Sequence, residues 1–132
     1  MEVEIERGLL SEMLDFAKER HPREAILLLR GKTKGGTITV TEYLFPPMAT
    51  TGSAFALYPL YMLPIDFSIV GTAHSHPSGS LQLSSQDMNS PYGRISLLMA
   101  YPYSEENVAA FENKKSEKIP LRVVGLPPGD DR

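Results

Sequence analysis

Cysteine and tryptophan are both absent from the 132 residues. Without cysteine the chain can form no disulfide, no thiolate nucleophile and no Cys-ligated zinc site, and this composition is compatible with a reducing compartment. An excess of basic residues is also missing, because 13 Lys and Arg stand against 16 Asp and Glu, for a net charge of −3 and a pI near 5.6. We therefore expect neither a nucleic-acid partner nor an anionic membrane partner.

No uninterrupted apolar run reaches the length of a membrane span. The most apolar stretch, FALYPLYMLPIDFSIVGTA, is broken by Pro59, Pro64 and Asp66, whereas a span needs about 20 predominantly apolar residues. The N-terminal MEVEIERGLL is acidic and lacks the basic start of a signal peptide. We expect a soluble, cytoplasmic protein with one domain over residues 1–125 and a flexible C-terminal tail over 126–132.

Hydrophobic periodicity predicts a mixed α/β (α+β) domain in which strands are in the majority. Val3 and Ile5 indicate a short first strand, and residues 8–20 have the spacing of an amphipathic helix that Pro22 prevents from continuing. Apolar or alternating runs predict further strands at EAILLLRG, TITVTEYLF, FSIVGTAHS, RISLLMAYPY, NVAAFEN and EKIPLRVVG, with a turn at GKTKGG. An extended piece is predicted at 54–58 and a short helix within 84–92.

Two of the three histidines lie two residues apart in GTAHSHPSGSLQLSSQD. If TAHSH ends a strand, His74 and His76 share one face at a spacing of about 6.6 Å and can converge on one metal ion. The following loop can fold back to bring Asp87 to the same place. Two imidazoles and a carboxylate leave a fourth position open, as in catalytic zinc sites.

Simpler explanations exist for the same residues. A His-x-His pair often binds nothing, and SSQD has the form of a helix N-terminus with Ser84 as its cap and Asp87 in the first turn. A two-His-one-carboxylate iron site would use the same ligands, so the ligand set alone does not identify the metal.

LLLRGKT is not a phosphate-binding loop, because position 26 is Ile where that loop needs Gly. Zinc deaminases need a pair of cysteines, and no His-Glu-x-x-His sequence is present.

HSHP followed by SSQD gives His-x-His-x7-Ser-x2-Asp, and Glu24 precedes it at the junction of the predicted helix and the next strand. This pattern resembles the JAMM (MPN+) metalloprotease family, in particular its small stand-alone archaeal members, and the similarity covers most of the chain. The resemblance implies the JAMM/MPN fold: a single mixed, curved β-sheet flanked by helices and similar to cytidine deaminases.

The resemblance also implies a role for each residue of the motif. His74, His76 and Asp87 would hold one Zn²⁺ per chain, with a water in the fourth position. Glu24 would act as general base and then general acid, and Ser84 would stabilise the oxyanion of the tetrahedral intermediate. Without the motif, the sequence would favour interpreting Glu24 as an ordinary solvated glutamate at the end of a helix. His21 matches no motif position and is predicted to be a surface or capping residue.

The function implied is that of an isopeptidase that cleaves a ubiquitin-like modifier from lysine, with the modifiers and their conjugates as partners. The modifier tail would lie beside a strand edge near residues 53–60. Two alternatives remain open: a non-catalytic scaffold of the same fold, and a peptidase that releases a C-terminal residue from a sulfur-carrier protein. A homodimer is a further expectation.

Overall fold

The computed structural model describes residues 1–46, 68–84 and 92–125. Its elements, in chain order, are β1 (Glu2–Glu6), α1 (Arg7–Arg20), β2 (Ile26–Lys34), β3 (Thr37–Leu44), β4 (Ile69–His76), β5 (Ile95–Ala100), a 3-10 turn (Glu105–Asn107), β6 (Val108–Glu112), β7 (Glu117–Ile119) and β8 (Leu121–Val124). The strands form one mixed sheet that packs against α1, the one α-helix of the described residues, which confirms the predicted fold class.

Helix α1 forms where the apolar residues repeat at helical spacing. Leu10, Met13, Leu14 and Ala17 are its buried positions. The last turn carries two basic residues, Lys18 and Arg20, whose positive charges stabilise the helix by interacting with the negative end of its dipole. The main-chain N–H of His21 donates to the carbonyls of Ala17 (3.0 Å) and Lys18 (3.3 Å), which confirms the capping position predicted for His21.

The sheet curls so far that its two edges adjoin. Its strand order is β7-β6-β5-β4-β2-β3-β1-β8, so β7 and β8 lie at opposite edges. Nevertheless only Pro120 separates these two strands along the chain, and its carbonyl accepts the N–H of Val3 at 2.9 Å. A one-residue link can join two edges only if the sheet bends round to bring them together.

The two faces of the sheet are covered differently. The main core combines α1 with side chains from β1 to β6, such as Ile5, Leu27 and Leu97, all with no exposed surface. On the other face, Leu98, Ala109 and Phe111 form a smaller cluster under Leu81 and Leu83. Because successive strand residues point to opposite faces, Leu97 and Leu98 contribute to different clusters.

β2 is longer than the sequence pattern predicted. GKTKGG was expected to be a turn, but β2 continues to Lys34 and the turn is confined to Gly35 and Gly36. Gly35 has a φ of 61°, the left-handed conformation that glycine adopts without strain. Gly31 belongs to the paired strand, where a Cβ would lie 2.3 Å from the Thr39 carbonyl oxygen, so glycine permits the close approach of β2 and β3.

Several predictions fall outside the described residues: the extended piece at 54–58, the strand edge near 53–60, the tail at 126–132 and most of the predicted helix at 84–92. Within the described ranges, no helix is both long and apolar enough to cross a bilayer. The other predicted strands are present, and EKIPLRVVG divides at Pro120 into β7 and β8.

Candidate active site

The pairing of β2 with β4 sets the position of Glu24 relative to the histidines. The two strands are antiparallel with Ile26 opposite His74. The register continues one residue further, because Ser75 N–H donates to the Ala25 carbonyl at 2.9 Å. Glu24 therefore directly precedes the last bonded pair of the two strands, Ala25 and Ser75, at the end of β4 that carries His76.

A cleft of about 500 Å³ brings together three of the five predicted site residues. Glu24, His76 and Ser84 all line it, with Pro22 and Pro77 among its other walls. Glu24 and Ser84 are exposed side chains, whereas His76 is only 7% exposed. A buried imidazole beside an accessible carboxylate and hydroxyl can serve as a metal ligand, a proton acceptor and a hydrogen-bond donor in one concave site.

The ring of His76 is oriented by the loop that follows it. Its Nδ1 lies 3.0 Å from the carbonyl oxygen of Ser80. A carbonyl can only accept, so Nδ1 carries the proton and Nε2 of the neutral ring has the lone pair. Metal-binding histidines commonly have such a partner on the second nitrogen, which supports His76 as a ligand through Nε2.

His74 is half-buried and its ring contacts a neighbour on the same strand face. The Nε2 of His74 lies 2.8 Å from Thr72 Oγ1. A metal can bind this nitrogen only if the contact with Thr72 is broken, whereas binding at Nδ1 leaves it intact. His74 is not among the residues that line the cleft around Glu24 and His76.

The loop from Pro77 to Ser84 is held against the sheet by both polar and apolar contacts. Gly79 N–H donates to the His76 carbonyl at 3.0 Å, and Leu81 and Leu83 pack on the smaller apolar cluster around Leu98. Ser84 is the residue directly after Leu83. The placement of Ser84 in the cleft thus depends on apolar contacts that the motif itself does not reveal.

The rings of His21, Tyr101 and Tyr103 form a group of aromatic contacts beside the segment that leads to Glu24. His21 Nδ1 is 2.7 Å from the Tyr103 hydroxyl, and the His21 ring stacks on Tyr101 with centroids 4.7 Å apart. Burial raises the pKa of Tyr103, with a smaller contribution from Tyr101. Tyr101 N–H in turn donates to the His76 carbonyl at 3.1 Å, so the group connects the end of α1 to the end of β4.

The donor set fits a metal centre as far as the structure describes it. His74 and His76 lie on one strand face, and the Ser80 carbonyl at Nδ1 of His76 makes Nε2 the ring atom that would bind a metal. Asp87, the predicted third ligand, lies outside the described residues. Within the described part of the chain, no group of three or more His, Asp or Glu side chains is close enough together to hold a metal.

Comparison with known proteins identifies the family to which this fold and site belong. Residues 6–114 match the family of prokaryotic homologs of the JAB domain. The chain belongs to the JAMM/MPN family. A curated relative from Haloferax volcanii, named "Probable metalloprotease", is 32% identical over 117 residues, which cover 80% of this chain and 72% of the relative.

Solved structures agree with this family membership. One, described as "JAMM: A Metalloprotease-like Zinc Site in the Proteasome and Signalosome", is 31% identical with a TM-score of 0.68, and the match covers 95% of this chain and 100% of the other. A JAB1/MPN domain protein from Archaeoglobus fulgidus is also 31% identical, with a TM-score of 0.66 and coverage of 93% and 97%. A Desulfitobacterium hafniense protein at 16% identity shares the fold, with a TM-score of 0.66 and 97% coverage of both chains.

Proposed function

We propose that this JAMM/MPN protein is a zinc-dependent isopeptidase that hydrolyses the bond between the C-terminus of a ubiquitin-like modifier and a lysine side chain. The observation that carries the proposal is the common cleft of Glu24, His76 and Ser84. These are the base, ligand and oxyanion positions of the family motif, and Glu24 comes from a part of the chain about 50 residues before the segment that carries His76 and Ser84. A protein of this fold that served only as a scaffold would not need to bring them together.

The proposed reaction is a hydrolysis in which Glu24 transfers one proton. A water oxygen attacks the carbonyl carbon of the isopeptide bond while the Glu24 carboxylate accepts a proton from that water. Glu24 then gives the proton to the lysine nitrogen as the C–N bond breaks, which leaves a carboxylic acid on the modifier and an amine on the target. The acid proton then passes to the amine, so the products at neutral pH are a carboxylate and an ammonium group. General acid–base transfer of this kind contributes about 10²–10⁴-fold to a rate.

Ser84 has the second role in the proposed mechanism. Its exposed hydroxyl can donate a hydrogen bond to the carbonyl oxygen as negative charge develops there, and losing one such donor costs about 10²–10³-fold in rate. His74, His76 and Asp87 are the residues that would hold the zinc ion. When bound, zinc would supply Lewis-acid polarisation of the carbonyl and lower the pKa of water.

The choice of substrate follows the resemblance of the motif to the JAMM (MPN+) family. A structural relative at 31% identity is described as having a metalloprotease-like zinc site in the proteasome and signalosome. We extend that association to this chain as a proposal, with ubiquitin-like modifiers and their conjugates as partners. The expected cytoplasmic location, homodimer, and absence of nucleic-acid and membrane partners remain predictions.

Cleavage of a lysine-conjugated ubiquitin-like protein by zinc-loaded enzyme tests the proposal. Glu24→Gln should lower kcat by about 10²-fold or more, because the amide cannot accept the proton, and a chelator should abolish cleavage by the wild type. Glu19→Gln is the matched control, since it makes the same change on an exposed glutamate of α1 and should leave the rate unaltered.

Each other result identifies a different error. Undiminished cleavage by Glu24→Gln would refute the assignment of the base. No cleavage by the wild type, with one zinc bound, would refute the isopeptidase and leave the scaffold or the sulfur-carrier peptidase. A panel that includes a sulfur-carrier protein with an added C-terminal residue separates these two. A wild type that binds no zinc would refute the metal site.

A further inference from the structure

We infer that the hydroxyl of Ser75 is a positioning group that holds Glu24 at its distance from the two histidines, an inference that rests on the proposed function. Ser75 lies between His74 and His76, but the family motif assigns it no role. It has no exposed surface, so it cannot contact a substrate directly.

Ser75 forms hydrogen bonds with both the N–H and the carbonyl of Ala25, the residue after Glu24. Ala25 N–H donates to Ser75 Oγ at 2.7 Å, while Ser75 N–H donates to the Ala25 carbonyl at 2.9 Å. The serine hydroxyl thus takes the place that a main-chain carbonyl would have in a longer ladder. Ala25 is consequently fixed to β4 even though β2 begins only at Ile26.

The Ser75 side chain points to the opposite face of the sheet from the predicted metal ligands His74 and His76. Along β4, Ala73 and Ser75 point to one face of the sheet, while Thr72, His74 and His76 point to the other. Ala73 belongs to the core cluster beneath α1, so the Ser75 hydroxyl lies on the helix-covered face. Ser75 therefore cannot share a metal with its neighbours, and its hydroxyl acts through the main chain of Ala25.

The segment that carries Glu24 depends on this contact because residues 23–25 lie in neither helix nor strand. Before Glu24, Arg23 N–H donates to the Arg20 carbonyl at 2.8 Å. After it, the next contact is the pair of bonds to Ser75. Without the hydroxyl, Ala25 N–H would remain buried with no acceptor, and the backbone would shift to satisfy it.

Two serine variants and a matched control test the inference. Ser75→Ala should lower kcat for the isopeptide substrate by about 10- to 100-fold, the effect expected from misplacing a catalytic group by an ångström or less. KM should change less than about twofold, since ground-state binding is untouched. Ser75→Thr keeps the hydroxyl and should restore most of the rate.

The control is Ser96→Ala. Ser96 is a buried serine (3% exposed) on the neighbouring strand β5, and its hydroxyl donates to Asn113 Oδ1 at 2.7 Å, away from the cleft. Ser96→Ala also removes the hydroxyl of a buried serine, but from a part-buried bond between two side chains, so it should destabilise the fold and leave kcat unchanged. If Ser75→Ala fails to fold, Ser75→Cys keeps the shape of the side chain with a larger, weakly accepting sulfur and gives the same comparison.

Two readouts identify the pathway of the effect. In a double-mutant cycle, Ser75→Ala should cost nothing further in a Glu24→Gln background, because the residue it positions no longer accepts the proton. Hydrogen exchange of the Ala25 amide, measured by NMR on metal-free protein, should accelerate about tenfold or more in Ser75→Ala and not in Ser96→Ala.

The outcomes distinguish this inference from the proposed function. Slow Ala25 exchange in Ser75→Ala would overturn the role of the hydroxyl whatever the activity. Fast exchange with an unchanged kcat would overturn the positioning role while the isopeptidase stands. An additive loss in the double variant would mean that Ser75 acts elsewhere than through Glu24. An inactive wild type would remove the proposed function and the positioning role together, and the exchange data would still decide whether the hydroxyl holds Ala25.

Discussion

Gly71→Ala should destabilise the protein strongly, because there is no room for a side chain at Gly71 between β4 and β5. Gly71 is paired with Ile95 in the parallel β4–β5 ladder. A Cβ on Gly71 would lie 1.9 Å from the Ile95 carbonyl oxygen and 2.8 Å from its carbonyl carbon. Both atoms belong to the backbone, so no side-chain rotation can relieve the clash.

The cost follows from the movement that the methyl group requires. Ile95 has to withdraw by about 1 Å, and backbone shifts of this kind cost about 1–3 kcal/mol in packed interiors. That shift also lengthens the adjacent ladder hydrogen bonds, and each buried group left without a partner costs about 1–3 kcal/mol. We expect a loss of about 3 kcal/mol or more, a large part of the 5–15 kcal/mol typical of a domain.

Urea unfolding at neutral pH measures this loss, with Gly36→Ala as the control. Among the described residues, the only heavy atom within 4 Å of a Cβ at Gly36 is the Cα of Met1, at 3.9 Å, so that variant should remain within about 0.5 kcal/mol of wild type. A thermal midpoint lowered by roughly 10 °C in Gly71→Ala would accompany the urea result. A difference of less than about 1 kcal/mol between the two variants would refute the steric reasoning.

Two further predictions concern pH and metal. Burial raises the pKa of Tyr103 above 10.0, so its contribution to stability is complete below pH 10.0 and is lost as the pH rises through the pKa of the folded state. Tyr103→Phe should therefore make the decline of the unfolding free energy above about pH 10 shallower. An unchanged slope of the unfolding free energy against pH, measured by urea titration, would contradict this. Zinc at about 100 times its Kd should raise the unfolding free energy by about 2.7 kcal/mol in thermal or urea melts. His76→Ala and Asp87→Ala should abolish this gain while Asp15→Ala, on the exposed face of α1, keeps it, and a full gain in Asp87→Ala would exclude that residue as a ligand.

Local sequence was sufficient for the elements because their signals are short-range. The spacing of Leu10, Met13, Leu14 and Ala17 predicts α1 to within one residue, since a buried helix face requires that repeat. Where a prediction was wrong, the cause was tertiary. The expected turn at GKTKGG is mostly strand, because pairing with β3 stabilises polar residues 32–34 in an extended conformation that their composition does not indicate.

The candidate site divides in the same way. The resemblance of the motif to the JAMM (MPN+) family selected Glu24, His74, His76, Ser84 and Asp87, and the structure brings Glu24, His76 and Ser84 into one cleft. Spacing could not indicate the groups that orient them. The Ser80 carbonyl on His76 depends on a loop folding back, and Leu81 and Leu83 hold that loop only because β5 and β6 present an apolar face to it.

The sequence by itself determined which chemistry the chain can attempt, because side-chain type and spacing limit the available ligands, bases and donors. The tertiary structure decided where Glu24 lies, since its position follows from the antiparallel register of β2 and β4 and from the hydroxyl of Ser75. These contacts join residues 50 positions apart in the chain. Such long-range contacts form only when the sheet folds, because their cost in chain entropy is offset by the cooperative burial of the whole core.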